Sequence, residues 1–289
     1  MTISFKQEVQ QTLNNIERLP SFPEVVHKVL KLLRDPDVEF KAISKELVKD
    51  PGLTADVIRL SNSAYYHPTK EIRSIEEAIK VLGLKVLKEI VMVAAARGIL
   101  KQPIEGYKLE SRDMWEHSLM VGYLSMNIVE KQKIPNVPKD VAFTAGLMHD
   151  CGKIVLASTF KKAILLIQQE YQKHPNVSFL ELEKKYIGFT HPEIGAFLLK
   201  NWNFPEELVD SVLHLYEPEK STKNPTLTSL IHVSNWLVIS AGIGVDVMGM
   251  NETLSPFALK QIHFNNSLIQ EYYESIPELM GNIKDLIEL

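Results

Sequence analysis

Proline punctuation is the feature that most constrains this chain. Leu19-Pro20-Ser21-Phe22-Pro23, Asp35-Pro36-Asp37 and Asp50-Pro51-Gly52 break the first fifty residues into segments long enough for a helix of about three turns and little more. Between the breaks, apolar residues recur at helical spacing: Val25, Val26, Val29, Leu30, Leu32 and Leu33, then Ile43, Leu47 and Val48, then Val57, Ile58 and Leu60. The pattern predicts a helix entered through Ser21 near its N-cap with Pro23 in its first turn, and a second over about 40–49 that stops at Asp50-Pro51-Gly52. A third begins at Leu53. Upstream, Phe5, Val9, Leu13 and Ile16 give one further amphipathic pattern. Ser74, with Glu77 three residues on, has the capping-box spacing and opens a helix that is interrupted at Gly83 and resumes to about Ile99.

No stretch alternates polar and apolar residues as a half-buried strand would, so the expectation is an all-α fold. At 289 residues and 45% hydrophobic content the chain can fill two cores. Lys101 to Lys108, with Pro103 and Gly106, reads as the linker between a helical subdomain at 1–104 and a second helical domain at 105–289.

The second half holds the chemistry. The apolar run Val141 to Met148 ends in His149-Asp150, which sets a borderline nitrogen ligand beside a hard oxygen ligand at one helix end. Asp113 and His117 stand four apart on one helical face. Helices follow over about 161–172 and 179–187. Thr190-His191-Pro192-Glu193 then opens another with capping-box spacing, and one after Pro205 ends near His214. The apolar segment 227–243 carries His232 and Asn235 on one face. Each of these residues also has a plainer reading, as a satisfied core histidine or a helix cap.

Other function classes find little support. The formal net charge is −4, with both signs mixed along the chain. The helices flanking Asp50-Pro51-Gly52 resemble a helix-turn-helix, but Lys45, Lys49 and Arg59 are matched by Glu46, Asp50 and Asp56, which leaves little for phosphates and argues against nucleic acid. No apolar run is long enough to span a bilayer, and the first thirty residues do not read as a signal peptide. The single cysteine, Cys151, excludes an internal disulfide and fits a reducing compartment, so the expected location is the cytoplasm.

These residues carry a resemblance. Histidine, then His-Asp, then further histidines follow the order of the HD superfamily of helical metal-dependent phosphohydrolases. Leu19-Pro20-Ser21-Phe22-Pro23, Asp50-Pro51-Gly52-Leu53-Thr54, Arg59-Leu60-Ser61-Asn62-Ser63-Ala64, Ser74 with Ala78-Ile79 and Leu82-Gly83, and Trp115-Glu116-His117-Ser118 make the chain similar to the HDOD family, the HD-related output domain of bacterial signalling proteins. The resemblance implies a two-domain helical fold and assigns His117, His149 and Asp150 as metal ligands. It adds His191 and His214 as the extra histidines of the cyclic-dinucleotide phosphodiesterase branch, and Asp113 in the place of an acidic residue that some of that branch use. Asn235 stands where a late aspartate ligand belongs, and an amide brings no charge to a cation. The implied cofactor is a divalent iron, manganese or zinc ion; in a catalytic site Lys153, four residues beyond His149, is the candidate to meet a phosphate, its plainer reading being a solvated lysine. After His214 the chain reads Leu215-Tyr216-Glu217-Pro218, without the Gly-Tyr-Pro loop of the cyclic-di-GMP hydrolases.

Two functions follow from this. One is a signalling regulator with a degenerate HD-type site that works through protein partners, with homodimerisation through the apolar face of about 256–289 as a further candidate. The other is a metal-dependent phosphohydrolase acting on a nucleotide or cyclic dinucleotide.

Overall fold

The computed structural model describes residues 22–33, 35, 37–102, 104, 106–174, 177–248 and 253–288. Their regular structure is all helix, with no strand among the described residues; one isolated antiparallel bridge joins Ile104 and Leu109. The amphipathic pattern at Phe5 to Ile16, and Ser21 as a cap, lie outside the described residues. The described residues group into two compact units, one of residues 22–99 with 280–288 and one of residues 100–279.

In the first unit, α1 (Glu24–Leu32) starts one residue later than proline placement suggests, with Pro23 itself at the N-cap and no side-chain cap. Helix α2 (Phe40–Leu47) buries Ile43 and Leu47. Asp50-Pro51-Gly52 does not only stop a helix; it begins α3 (Pro51–Ser61), because the Asp50 carboxylate accepts the Leu53 N–H at 3.0 Å and Pro51 needs no N–H partner. Asn62 then acts as a clamp. Its amide donates to the carbonyls of Ile58 and Ile72, and its Oδ1 accepts the Ile72 N–H at 2.8 Å, which fixes the loop before the next helix. The Asp285 carboxylate accepts the Ala64 N–H at 2.9 Å, so the last residues of the chain return to this unit.

Helix α4 (Ile75–Leu100) is broken at Gly83, where φ is 85° and ψ 166°. Nothing lies near a Cβ built there, so the backbone angle alone demands glycine. The Ser74 hydroxyl accepts the Glu77 N–H at 3.2 Å as expected, but the Glu77 carboxylate reaches past Ser74 to the Arg73 N–H.

The second unit contains α5 (Ser111–Gln132), α6 (Lys139–Met148), α7 (Cys151–Thr159), α8 (Lys161–Lys173), α9 (Phe179–Tyr186), α10 (His191–Asn201), α11 (Glu206–Leu213), α12 (Pro225–Ser240), α13 (Pro256–Gln261) and most of α14 (Asn266–Asn282); α15 (Lys284–Glu288) lies in the first unit. Helix α5 packs on α6 and α12, and α10 packs on α7 and α11. The two units divide at 99/100, beside the segment read as a linker, and two residues of that segment are packed into the second unit. Ile104 and Tyr107 are wholly buried, and Tyr107 rests against Phe179 with ring centres 5.6 Å apart. Helix α12 also ends three residues before the expected Ile243, and residues 241–248 continue as a loop over the centre described next.

Candidate metal centre

Among the described residues, His117, His149 and Asp150 are the group whose ligand atoms lie close enough to hold a metal ion, all within 4.8 Å of one another. Each comes from a separate local cause. His117 sits two turns into α5, on the face buried by the packing of that helix. His149 is the C-cap of α6 and Asp150 the N-cap of α7, so the doublet occupies the corner between two helices, with its carboxylate at the positive end of α7.

The ring orientations are fixed from behind. The Nδ1 of His117 is 3.0 Å from the Ile243 carbonyl, and that of His149 is 2.6 Å from the Gly146 carbonyl. A carbonyl only accepts, so both Nδ1 atoms carry a proton, and in the neutral rings both Nε2 atoms present a lone pair. Those lone pairs converge at 3.2 Å. The Oδ1 of Asn235 reaches His117 Nε2 at 2.9 Å, and Asp150 Oδ2 lies 3.4 Å from His149 Nε2. Acceptors gathered around one point repel unless a proton or a metal cation lies between them. Asp150 Oδ1 is, in addition, buried without a hydrogen-bond partner. The donor set of imidazole nitrogens with one carboxylate suits a divalent transition metal.

Charge points the same way. Lys153, one turn into α7, is clasped by Asp150 Oδ2 at 2.5 Å and Asp246 Oδ2 at 2.8 Å. With Glu183 alongside His191, the buried region holds three carboxylates and one ammonium, formally −2 with the histidines neutral. Burial by itself would raise the Asp150 carboxyl, but Lys153 and His149 outweigh it and hold the group well below the usual carboxylate range. Burial would likewise lower Lys153, and its two carboxylates reverse that and raise it. His117 is pushed down to about 4, by burial first and His149 second. All these side chains are closed off: the residues are 1% exposed for His117, His149 and His191, 2% for Asp150 and Asn235, and 3% for Lys153.

The other expected residues fall in different places. His191 opens α10 behind its Thr190 cap and points Nε2 at Asp150 Oδ1, 3.8 Å away, and at the Tyr216 hydroxyl, 3.1 Å away. Asp113 closes a capping box: its carboxylate accepts the Glu110 N–H at 2.9 Å. His214 caps the end of α11 with its ring 3.6 Å from Asp210, whose carboxylate accepts from Ser221, Thr222 and Lys223. Neither Asp113 nor His214 joins the group of three. Lys153 lies in the cluster, but its ammonium is spent on two carboxylates. Sequence reasoning missed Tyr107, Glu183 and Asp246, which touch the centre from segments without a recognisable motif.

One spacing is set by a missing side chain. A Cβ on Gly152 would lie 2.0 Å from the His191 carbonyl oxygen and 2.6 Å from the Gly195 nitrogen, so α7 and α10 meet backbone to backbone. That contact brings the His149-Asp150 corner and His191 together.

Comparison with known proteins adds family and fold. The HDOD domain matches residues 19–218. A protein of Treponema pallidum (strain Nichols), itself uncharacterized, is 24% identical over 226 residues; the match takes in 78% of this chain, which spans only 43% of that relative's length. Among solved structures, an HDOD domain protein of unknown function from Geobacter sulfurreducens aligns with a TM-score of 0.78 at 24% identity, over 99% of both chains. A provisionally named phosphohydrolase from Shewanella amazonensis SB2B aligns at 0.74 and 21%, over 98% of both. A provisionally named signal transduction protein from Marinobacter aquaeolei VT8 aligns at 0.77 and 19%, over 99% of this chain and 66% of that one.

Proposed function

The chain belongs to the HDOD family, and on that premise we propose that it is a bacterial signal-transduction regulator that acts through protein partners and keeps a closed, metal-binding HD-type centre. The observation that carries this reading is the burial of the whole ligand set, at most 3% exposed, together with a lysine held by two carboxylates rather than left for a phosphate. The neutral amide of Asn235 in place of a carboxylate, and the lack of a Gly-Tyr-Pro loop after His214, support it further. His117, His149 and Asp150 would hold the ion, which we take to be iron, manganese or zinc.

Phosphohydrolase activity is the second reading, favoured by the unpartnered Asp150 Oδ1 beside His191 Nε2. A divalent ion bound there supplies an acidified water and polarises a phosphoryl oxygen. The test is to purify the protein without a histidine tag, measure its metal content, and assay it on bis(p-nitrophenyl) phosphate and cyclic dinucleotides beside His149→Ala. The regulator reading expects near-stoichiometric metal in wild type, none in the variant, and equal background hydrolysis in both. Turnover that disappears in His149→Ala would establish the hydrolase instead. For the partner, crosslinking in the native cells is expected to trap a defined protein with wild type and to lose it with His149→Ala.

A further inference from the structure

Glu183 belongs to none of the motifs of the chain, yet it is wholly buried and heavily engaged. Its Oε1 accepts the Tyr107 hydroxyl at 2.5 Å, its Oε2 accepts the His191 backbone N–H at 2.8 Å, and both oxygens stand 3.0 Å from His191 Nδ1. A carboxylate can only accept from that ring nitrogen, so a proton sits on Nδ1, and in the neutral ring the Nε2 lone pair faces forward. Forward are the Tyr216 hydroxyl, 3.1 Å away, and Asp150 Oδ1, 3.8 Å away and without a hydrogen-bond partner. Tyr107 fixes the other end: its ring packs edge-on to His191 with centres 6.2 Å apart, and Lys153 Nζ lies 5.9 Å from the ring centre.

Capping α10 alone would require only one acceptor for the His191 N–H. The ring contacts on both oxygens go beyond that. We propose that Glu183, anchored by Tyr107, is the positioning residue that locks the tautomer and aim of His191, and so makes His191 a ligand toward a cation at Asp150. This rests on the metal reading above. A carboxylate behind a ligating histidine fixes its orientation and raises its basicity, and removing such a partner costs about 10–100-fold in metal affinity.

The experiment titrates Zn²⁺ and Mn²⁺, each alone, into wild type, His149→Ala, Glu183→Gln and Tyr107→Phe by calorimetry. In parallel, the His191 ring is read by ¹⁵N NMR in the metal-free proteins. The expected result is an Nδ1–H tautomer for His191 in wild type that is lost or mixed in Glu183→Gln, with affinity falling about 10–100-fold there and less in Tyr107→Phe. Wild-type affinity and an unchanged tautomer in Glu183→Gln would overturn the proposal and leave the metal reading intact. A lower melting temperature with unchanged affinity would do the same, since it marks a purely structural role. If wild type binds neither ion while His191 keeps its tautomer, the metal reading falls and the ligand role of His191 with it. Should Glu183→Gln fail to fold, Tyr107→Phe decides: it keeps the carboxylate and loses only the anchor, and unaltered affinity and tautomer in it overturn the proposal.

Discussion

His117 and His149 turn their Nε2 atoms toward each other at 3.2 Å, while the opposite nitrogen of each ring is held by a main-chain carbonyl. Neither ring can relieve the contact by exchanging tautomers, because each Nδ1 proton is committed. The meeting point therefore calls for a proton or a metal cation between the two nitrogens.

Metal removal is therefore expected to lower stability. Chelator-treated protein should melt at a lower temperature than protein with saturating Zn²⁺, by an amount that grows with the logarithm of free ion. His149→Ala should show no such dependence. Differential scanning calorimetry across an ion series measures both.

Acid should destabilise the metal-free protein in a defined window. His117 is protonated in the folded state only near pH 4, whereas in the unfolded chain it takes its proton near pH 6.5. Between those values the unfolded state binds more protons, so stability falls as pH falls, by up to about 3 kcal/mol from this group. Asp150, with its carboxyl held low by Lys153 and His149 against the effect of burial, adds a further loss below about pH 4, the ordinary carboxylate range. Urea denaturation from pH 7.5 to 4.5 should show the first slope, and His117→Gln should flatten it.

Asn235→Asp should tighten metal binding by about tenfold or more, because a charged oxygen replaces an amide oxygen 2.9 Å from His117. Without metal the same change adds a buried carboxylate to a centre already rich in them and should cost about 1–3 kcal/mol. Isothermal titration and chemical denaturation of the variant test the two halves separately.

Asp246→Asn leaves Lys153 with one carboxylate in a closed space, and Lys153→Met leaves two carboxylates with none of their cation. The second change should be the more damaging, about 3–5 kcal/mol. Equal stability of the two variants in urea would show that the ion pairs contribute little.

Helix boundaries and the His-Asp doublet were legible because they depend on neighbours in sequence. Asp50 capping Leu53, and Thr190 with Glu193, are local rules, as is the break at Gly83. The same local rules could have placed Asp113, which stands three residues after Glu110 and closes that cap, but its spacing to His117 drew the ligand reading first. Glu183, Asp246 and Tyr107 were beyond reach. Their roles arise only when residues 8, 93 and 46 positions from their partners in the sequence meet in the core, and Tyr107 sits in a stretch whose proline and glycine read as a linker.

The contact between Gly152 and the His191 carbonyl gives the centre an unusual kind of fragility. Ligand residues can be exchanged one at a time and each alters chemistry at one point, whereas a single methyl group at position 152 would wedge α7 away from α10 and move two ligand-bearing segments at once. The centre is thus guarded by an empty volume as much as by its charged groups. A lineage that lost its metal chemistry could keep every histidine and still be disarmed by one hydrogen becoming a methyl.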